Sequence, residues 1–137
     1  INSSVRAILA QRLLRKVCPH CSVKRPISID QSEIIKIKPN TIIRHANVVV
    51  AEEKEKRKRE GTLCLSCNGS GYNGRIGVYE FLPINRNIQL AIKEKKSDSE
   101  IQNIAIDNGM LTLEAYGKNL IIDELTTISE VLRVCKN

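Results

Sequence analysis

Cys64-Leu65-Ser66-Cys67-Asn68-Gly69-Ser70-Gly71-Tyr72 is the stretch on which the fold turns, because its cysteine spacing repeats that of Cys18-Pro19-His20-Cys21, 42 residues upstream. A C-x-x-C turn aims two thiolates at one point. Two such turns complete a tetrahedral tetracysteine set of the kind that holds structural zinc. Glycines at 69, 71 and 74 supply the backbone reversals a metal-binding knuckle needs. The candidate ligands are therefore Cys18, Cys21, Cys64 and Cys67, with Zn2+ as a structural ion. Closing a loop of this length costs about 3 kcal/mol. Structural zinc contributes about 10–16 kcal/mol in small peptides. The ion can therefore pin a loop that would not hold itself. Two disulfides are the rival reading. They require an oxidising compartment, no signal peptide is visible, and the fifth cysteine, Cys135, would be left over.

Working outward, the remaining sequence predicts a small α+β protein. Ser3 or Ser4 can cap a helix through Val17, with Val5, Ile8, Leu9, Leu13 and Val17 on one face. Positions 22–29 read as an extended loop. Asp30 with Glu33 resembles a capping box for a short helix ended by Pro39. From Thr41 the β-branched residues favour a strand, but the spacing of Ile42, Ile43, Ala46, Val49 and Val50 favours a helix. The sequence is read as a helix over 41–59, ended by Gly61. Thr62-Leu63 is expected to be a short strand, and Arg75 to Leu82 a strand returning from the metal site. Helices follow over 86–96, 98–108 (capped by Ser97 and Glu100), 111–122, and from the Thr127–Glu130 cap to the end. The expected organisation is a helix over 1–16 continuing from a missing core, a tetracysteine zinc module with a long insert over 17–82, and a helical subdomain over 83–137. Ile at position 1 makes the chain read as cut from something larger.

Charge narrows the partners. The net charge is +7, but residues 1–75 carry 15 basic and 6 acidic groups, whereas residues 76–137 carry 7 and 9. The first half thus suits an acidic partner. Its most basic run is largely self-compensated, since positions 52–60 hold five positive and four negative charges, with Glu52→Lys56 and Glu53→Arg57 spaced for helix pairs. Aromatic residues for base stacking are few (Tyr72, Tyr79, Phe81 and Tyr116), which makes a zinc-ribbon nucleic-acid binder the alternative rather than the leading function.

Other motifs carry less. Gly69 to Gly74 spells G-x-G-x-x-G, but a ligand pair precedes it where a dinucleotide fold needs a strand. The Cys64–Gly71 stretch also resembles one repeat of the J-domain co-chaperone zinc finger, without the four repeats of that family. His20 could replace a thiolate as a ligand, but four cysteines already fill the tetrahedron, so it reads as solvent-facing or hydrogen-bonding; His45 reads as a polar edge residue and Cys135 as a small apolar residue. No phosphate-binding loop or catalytic triad is present, and no apolar run is long enough to span a membrane.

Several of these residues together resemble the C-terminal region of the type II secretion and type IV pilus assembly ATPases. The match runs from Leu9-Ala10-Gln11-Arg12-Leu13-Leu14-Arg15 and Cys18-Pro19-x-Cys21 to Cys64-x-x-Cys67. It continues through Gly71-Tyr72-x-Gly74-Arg75-x-Gly77-x-Tyr79-Glu80 and Gly109-Met110-x-Thr112-Leu113, ending in Thr126-Thr127-x-x-Glu130-Val131-Leu132-Arg133-Val134. The resemblance implies a parent P-loop motor that uses ATP and Mg2+, works as a homo-hexameric ring at the cytoplasmic side of the bacterial inner membrane, and meets other assembly components there. Its catalytic motifs would lie outside this chain. This part would be non-catalytic and would contribute to subunit packing, with acidic phospholipid as a further candidate partner.

Overall fold

The computed structural model describes residues 4–136. It is α+β, with two two-stranded sheets and six helices. The elements in chain order are β1 (Ala7–Val17), β2 (Val23–Pro26), α1 (Ile29–Ile35), β3 (Ile42–His45), α2 (Ala51–Glu60), β4 (Tyr72–Pro83), α3 (Arg86–Lys93), α4 (Asp98–Asp107), α5 (Leu113–Ile122) and α6 (Ile128–Val134). The strand β1 pairs antiparallel with β4, and β2 with β3. None of the described helices is long and apolar enough to cross a membrane.

The first element corrects the sequence reading. Residues expected to form a helix up to Val17 form an 11-residue strand instead. The pairing with β4 decides this: ten residue pairs form along the ladder, from Ala7↔Pro83 to Val17↔Tyr72. The burial pattern agrees, because Leu14 and Val17 are buried while Leu9 and Leu13, members of the supposed helix stripe, are 59% and 51% exposed. A distant partner strand thus overrides the local period. Of the two proposed caps, Ser4 caps no helix here, and Ser3 lies outside the described residues.

The insert between the cysteine pairs holds the next corrections. The helix expected over 41–59 is split. Ile42 to His45 takes the strand option of its β-branched residues and pairs with β2, which lies inside the expected loop. The helix begins only at Ala51 and ends at Gly61, whose φ of +71° suits glycine. Glu53 and Arg57 make the anticipated i, i+4 pair at 3.1 Å. Thr62 and Leu63 are not in a strand. The helix α1 is capped two residues earlier than expected. Ser28 Oγ accepts from the Gln31 N–H at 3.1 Å, and the Ser28 N–H donates to Gln31 Oε1.

The helical half follows its caps. Asn85, Ser97, Thr112 and Thr127 each accept a hydrogen bond from the N–H three residues on. Gly117 sits inside α5 because an added Cβ would come within 2.9 Å of Val131. The close approach of α5 to α6 explains a residue that otherwise weakens a helix.

Two apolar clusters hold these elements. The larger joins Leu14 and Val78 of the long ribbon, Ile35 and Ile43 of the insert, and Leu120, Ile121, Ile128 and Val131 of the last two helices. The smaller joins Ile84, Ile88 and Ala105 at the crossing of α3 and α4.

Candidate metal centre

The two cysteine turns hang from the paired ends of the long ribbon. Cys18 follows directly on β1, and its N–H donates to the Gly71 carbonyl at 2.9 Å, just before β4 begins. Each turn closes on itself: the Ser22 N–H reaches the Cys18 carbonyl at 3.2 Å, and the Asn68 N–H reaches the Cys64 carbonyl at 2.9 Å. The second turn is further locked by Ser70, whose hydroxyl donates to the Cys67 carbonyl. Gly71 has φ +84°, and an added Cβ would lie 3.1 Å from Ala46 and 3.2 Å from Val48. Only glycine combines that backbone with so little room.

All four sulfurs meet. The Sγ atoms of Cys18, Cys21, Cys64 and Cys67 lie within 4.8 Å of one another. Cys18 and Cys64 are 3.8 Å apart, and Cys21 and Cys67 are 3.5 Å apart. A tetrahedron with Zn–S bonds of about 2.3 Å has edges of about 3.8 Å. A disulfide needs about 2.05 Å. The spacing therefore fits a shared tetrahedral ion and not sulfur–sulfur bonds. The donor set is soft and all-thiolate, which suits zinc among the common divalent ions.

The electrostatics favour thiolate at two of the four positions. Burial pushes the Cys18 thiol up, but the backbone N–H groups of Cys21 and His20 and the neighbouring thiols outweigh it and bring it down to about 6. Burial opposes ionisation at Cys67 as well, and the N–H groups of Gly71 and Gly69 with the Cys21 thiol reverse it. Cys21 is pushed up, first by burial and then by the three sulfurs around it. Four thiolates this close repel one another, and a divalent cation removes that conflict.

The remaining candidates fall outside the cluster. His20 is exposed and is not among the converging groups. The Nε2 atom of His45 is buried without a hydrogen-bond partner. Cys135 is buried in the larger core, and an added Cβ at Gly117 would approach its sulfur. The G-x-G-x-x-G run leads into β4 and not into a helix.

Sequence reasoning missed a second polar constellation beside the metal centre. Glu130 is 1% exposed and accepts from the Arg15 N–H at 3.0 Å, from Arg15 Nε at 2.7 Å and from Arg133 Nη2 at 2.7 Å. The Arg15 guanidinium lies 4.1 Å from the Tyr72 ring centre, and the Tyr72 hydroxyl shares a 2.9 Å hydrogen bond with Thr127. Neither pattern nor spacing links residues 115 positions apart.

Fold and site together define a small α+β module built on a tetracysteine cluster. The chain belongs to the type II/IV secretion system protein family, whose model matches residues 1–133. It is 36% identical over 132 residues to a type IV pilus assembly ATPase PilB of Thermus thermophilus, covering 96% of this chain and 14% of that protein. It is 31% identical over 136 residues to a type II secretion system protein E of Pectobacterium carotovorum, covering 99% of this chain and 24% of that protein. The chain thus spans less than a quarter of the length of these relatives.

Proposed function

We propose that this chain is the zinc-stabilised, non-catalytic C-terminal part of a hexameric secretion or pilus assembly ATPase, where it packs subunits together and contributes to motor function. The convergence of Cys18, Cys21, Cys64 and Cys67 carries this reading, because it supplies a closed four-ligand site with no open position for a substrate. Zn2+ is its structural ion. ATP and Mg2+ belong to the remainder of the parent polypeptide, where a phosphate-binding loop would sit. Neighbouring subunits of the ring and inner-membrane assembly components are its partners. Acidic phospholipid at the cytoplasmic face of that membrane suits the basic first half of the chain.

The test is metal content and its consequence. Elemental analysis is expected to give one zinc per chain, and chelation is expected to lower the thermal midpoint sharply. Complete metal removal with folding unchanged would defeat the structural role. In the longer protein, Cys64→Ser is expected to weaken ring assembly and ATP hydrolysis together while the nucleotide still binds. Unchanged assembly would separate the metal centre from the motor.

A further inference from the structure

The four sulfurs of the cluster are not equivalent. With a divalent ion bound all four are thiolates, so protonation does not separate them; access and hydrogen bonding do. Cys18 and Cys67 are buried, at 0% and 7% exposure, whereas Cys21 and Cys64 are half-buried. The Cys67 sulfur accepts the Gly71 N–H at 3.4 Å and is also reached by that of Gly69. The N–H groups of Cys21 and His20 reach the Cys18 sulfur. Donors of this kind draw on the lone pairs of a thiolate and lower its nucleophilicity along with its basicity. Cys21 lacks them. Among the described residues no N–H group donates to its sulfur, and its neighbours are the other three sulfurs.

Cys21 is thus both reachable and electron-rich. Its turn faces solvent, with Pro19 and His20 exposed beside it. A second thiol stands ready across the cluster. Cys67 of the other turn is 3.5 Å away, closer than the 3.8 Å between Cys18 and Cys64. An accessible thiolate next to a resolving cysteine is the arrangement that peroxide-sensitive cysteines share.

We propose that Cys21 is an oxidation site for hydroperoxides, with Cys67 as its resolving partner, and that this reaction opens the metal centre. The Cys21 thiolate attacks one peroxide oxygen, the O–O bond breaks, hydroxide leaves, and Cys21 becomes a sulfenic acid. The Cys67 thiolate then attacks that sulfur, an S–S bond forms and a second hydroxide leaves. Two electrons pass from the sulfurs to the peroxide, and both hydroxides take protons from solvent to become water. The sulfurs close from 3.5 Å to about 2.05 Å. Cys18 and Cys64 are the thiolates left, too few for a closed four-ligand site. The two turns stay joined by the new bond, and a dithiol reductant restores the original thiolates. The proposal rests on the reading of the cluster as a zinc centre, and it gives the parent motor a point at which peroxide acts on subunit packing.

The 137-residue chain carries the test, beginning with its metal content. A chain that holds no zinc overturns the metal reading and the proposal together. To the zinc-loaded chain, hydrogen peroxide is added in small increments while a chromophoric chelator follows metal release. A parallel sample contains dimedone to trap sulfenic acid, and both are mapped by peptide mass spectrometry. Dimedone is expected first and most heavily at Cys21. Without it, a Cys21–Cys67 disulfide is expected, with loss of the zinc in step with its formation. Dithiothreitol and added zinc are expected to return the original thermal midpoint. With zinc present at the start, the proposal alone is overturned by any of three results: first labelling at Cys18, Cys64 or Cys67, a disulfide between another pair, or zinc retained after peroxide is consumed. First labelling at Cys135, buried in the larger core, would mean that the chain unfolds before it reacts, and overturns it as well.

Discussion

Arg15 and Glu130 are joined by three contacts although 115 positions separate them: one from the Arg15 backbone N–H and two from its guanidinium, all to a carboxylate that is almost fully buried. The pair fastens the last helix to the strand that leads into the first cysteine turn. Arg133 completes the cluster from one turn further along α6. With four donors on two oxygens, the carboxylate recovers much of what burial removes.

Glu130→Ala should therefore destabilise the protein by about 2–4 kcal/mol, below the figure for a wholly buried pair because both arginines are half exposed. Arg133→Ala should cost under about 1 kcal/mol, since Arg15 remains in place. Chemical denaturation of both variants checks the ordering. Equal losses would mean that Arg15 contributes nothing beyond Arg133.

The same carboxylate sets an acid limit. Burial alone would raise its pKa, but the bonds from Arg15 and Arg133 hold it below the ordinary glutamate value of 4.5. A depressed folded-state pKa gives stability that is fully present above the unfolded pKa and is lost as pH falls through the lower, folded value. Unfolding midpoints should decline below about pH 4.5. Glu130→Gln, measured over the same range, should show a shallower decline.

Gly71→Ala should be costly. The substitution meets both a left-handed backbone and the crowding from Ala46 and Val48, and about 2–3 kcal/mol is expected. Gly109→Ala is the control, because φ is +97° there but no atom lies within 4 Å of the added carbon. Its cost should be smaller, about 1 kcal/mol. Thermal unfolding of the two, with metal content measured alongside, separates strain at the cysteine turn from strain elsewhere.

Cys64→Ser should abolish high-affinity metal binding and loosen residues 62–82, while α3 and α4 stay formed around Ile84, Ile88 and Ala105. Exchange measurements resolved along the chain read this directly. Simultaneous loss of protection in α3 and α4 would show that the small core depends on the metal centre.

The parts of the fold that were legible in the sequence are those with local causes. Ser97 and Thr127 announce their helices because a cap acts within three residues, and Gly61 marks the end of α2 in the same way. The β4 strand was legible from its run of β-branched and aromatic residues, and the four cysteines from their spacing. The hidden parts depend on distant partners. Ile8, Leu9, Leu13 and Val17 have helical spacing, yet the ladder to residues 72–83 makes them a strand. Ile42 and Ile43 carry both signals, and only the adjacent β2 settles them. Glu130 gave no sign of burial, because an acidic residue in the first turn of a helix is ordinarily a solvated dipole partner.

The Val17 amide is bonded to the Leu125 carbonyl, and the next amide along, that of Cys18, to the Gly71 carbonyl. One peptide unit therefore separates the anchorage of the helical tail from the first sulfur of the cluster. There is no slack between them. A displacement of the connection between α5 and α6 would be handed to Cys18 across that single unit, and a tightening of the cluster would be felt in the helical tail by the same route.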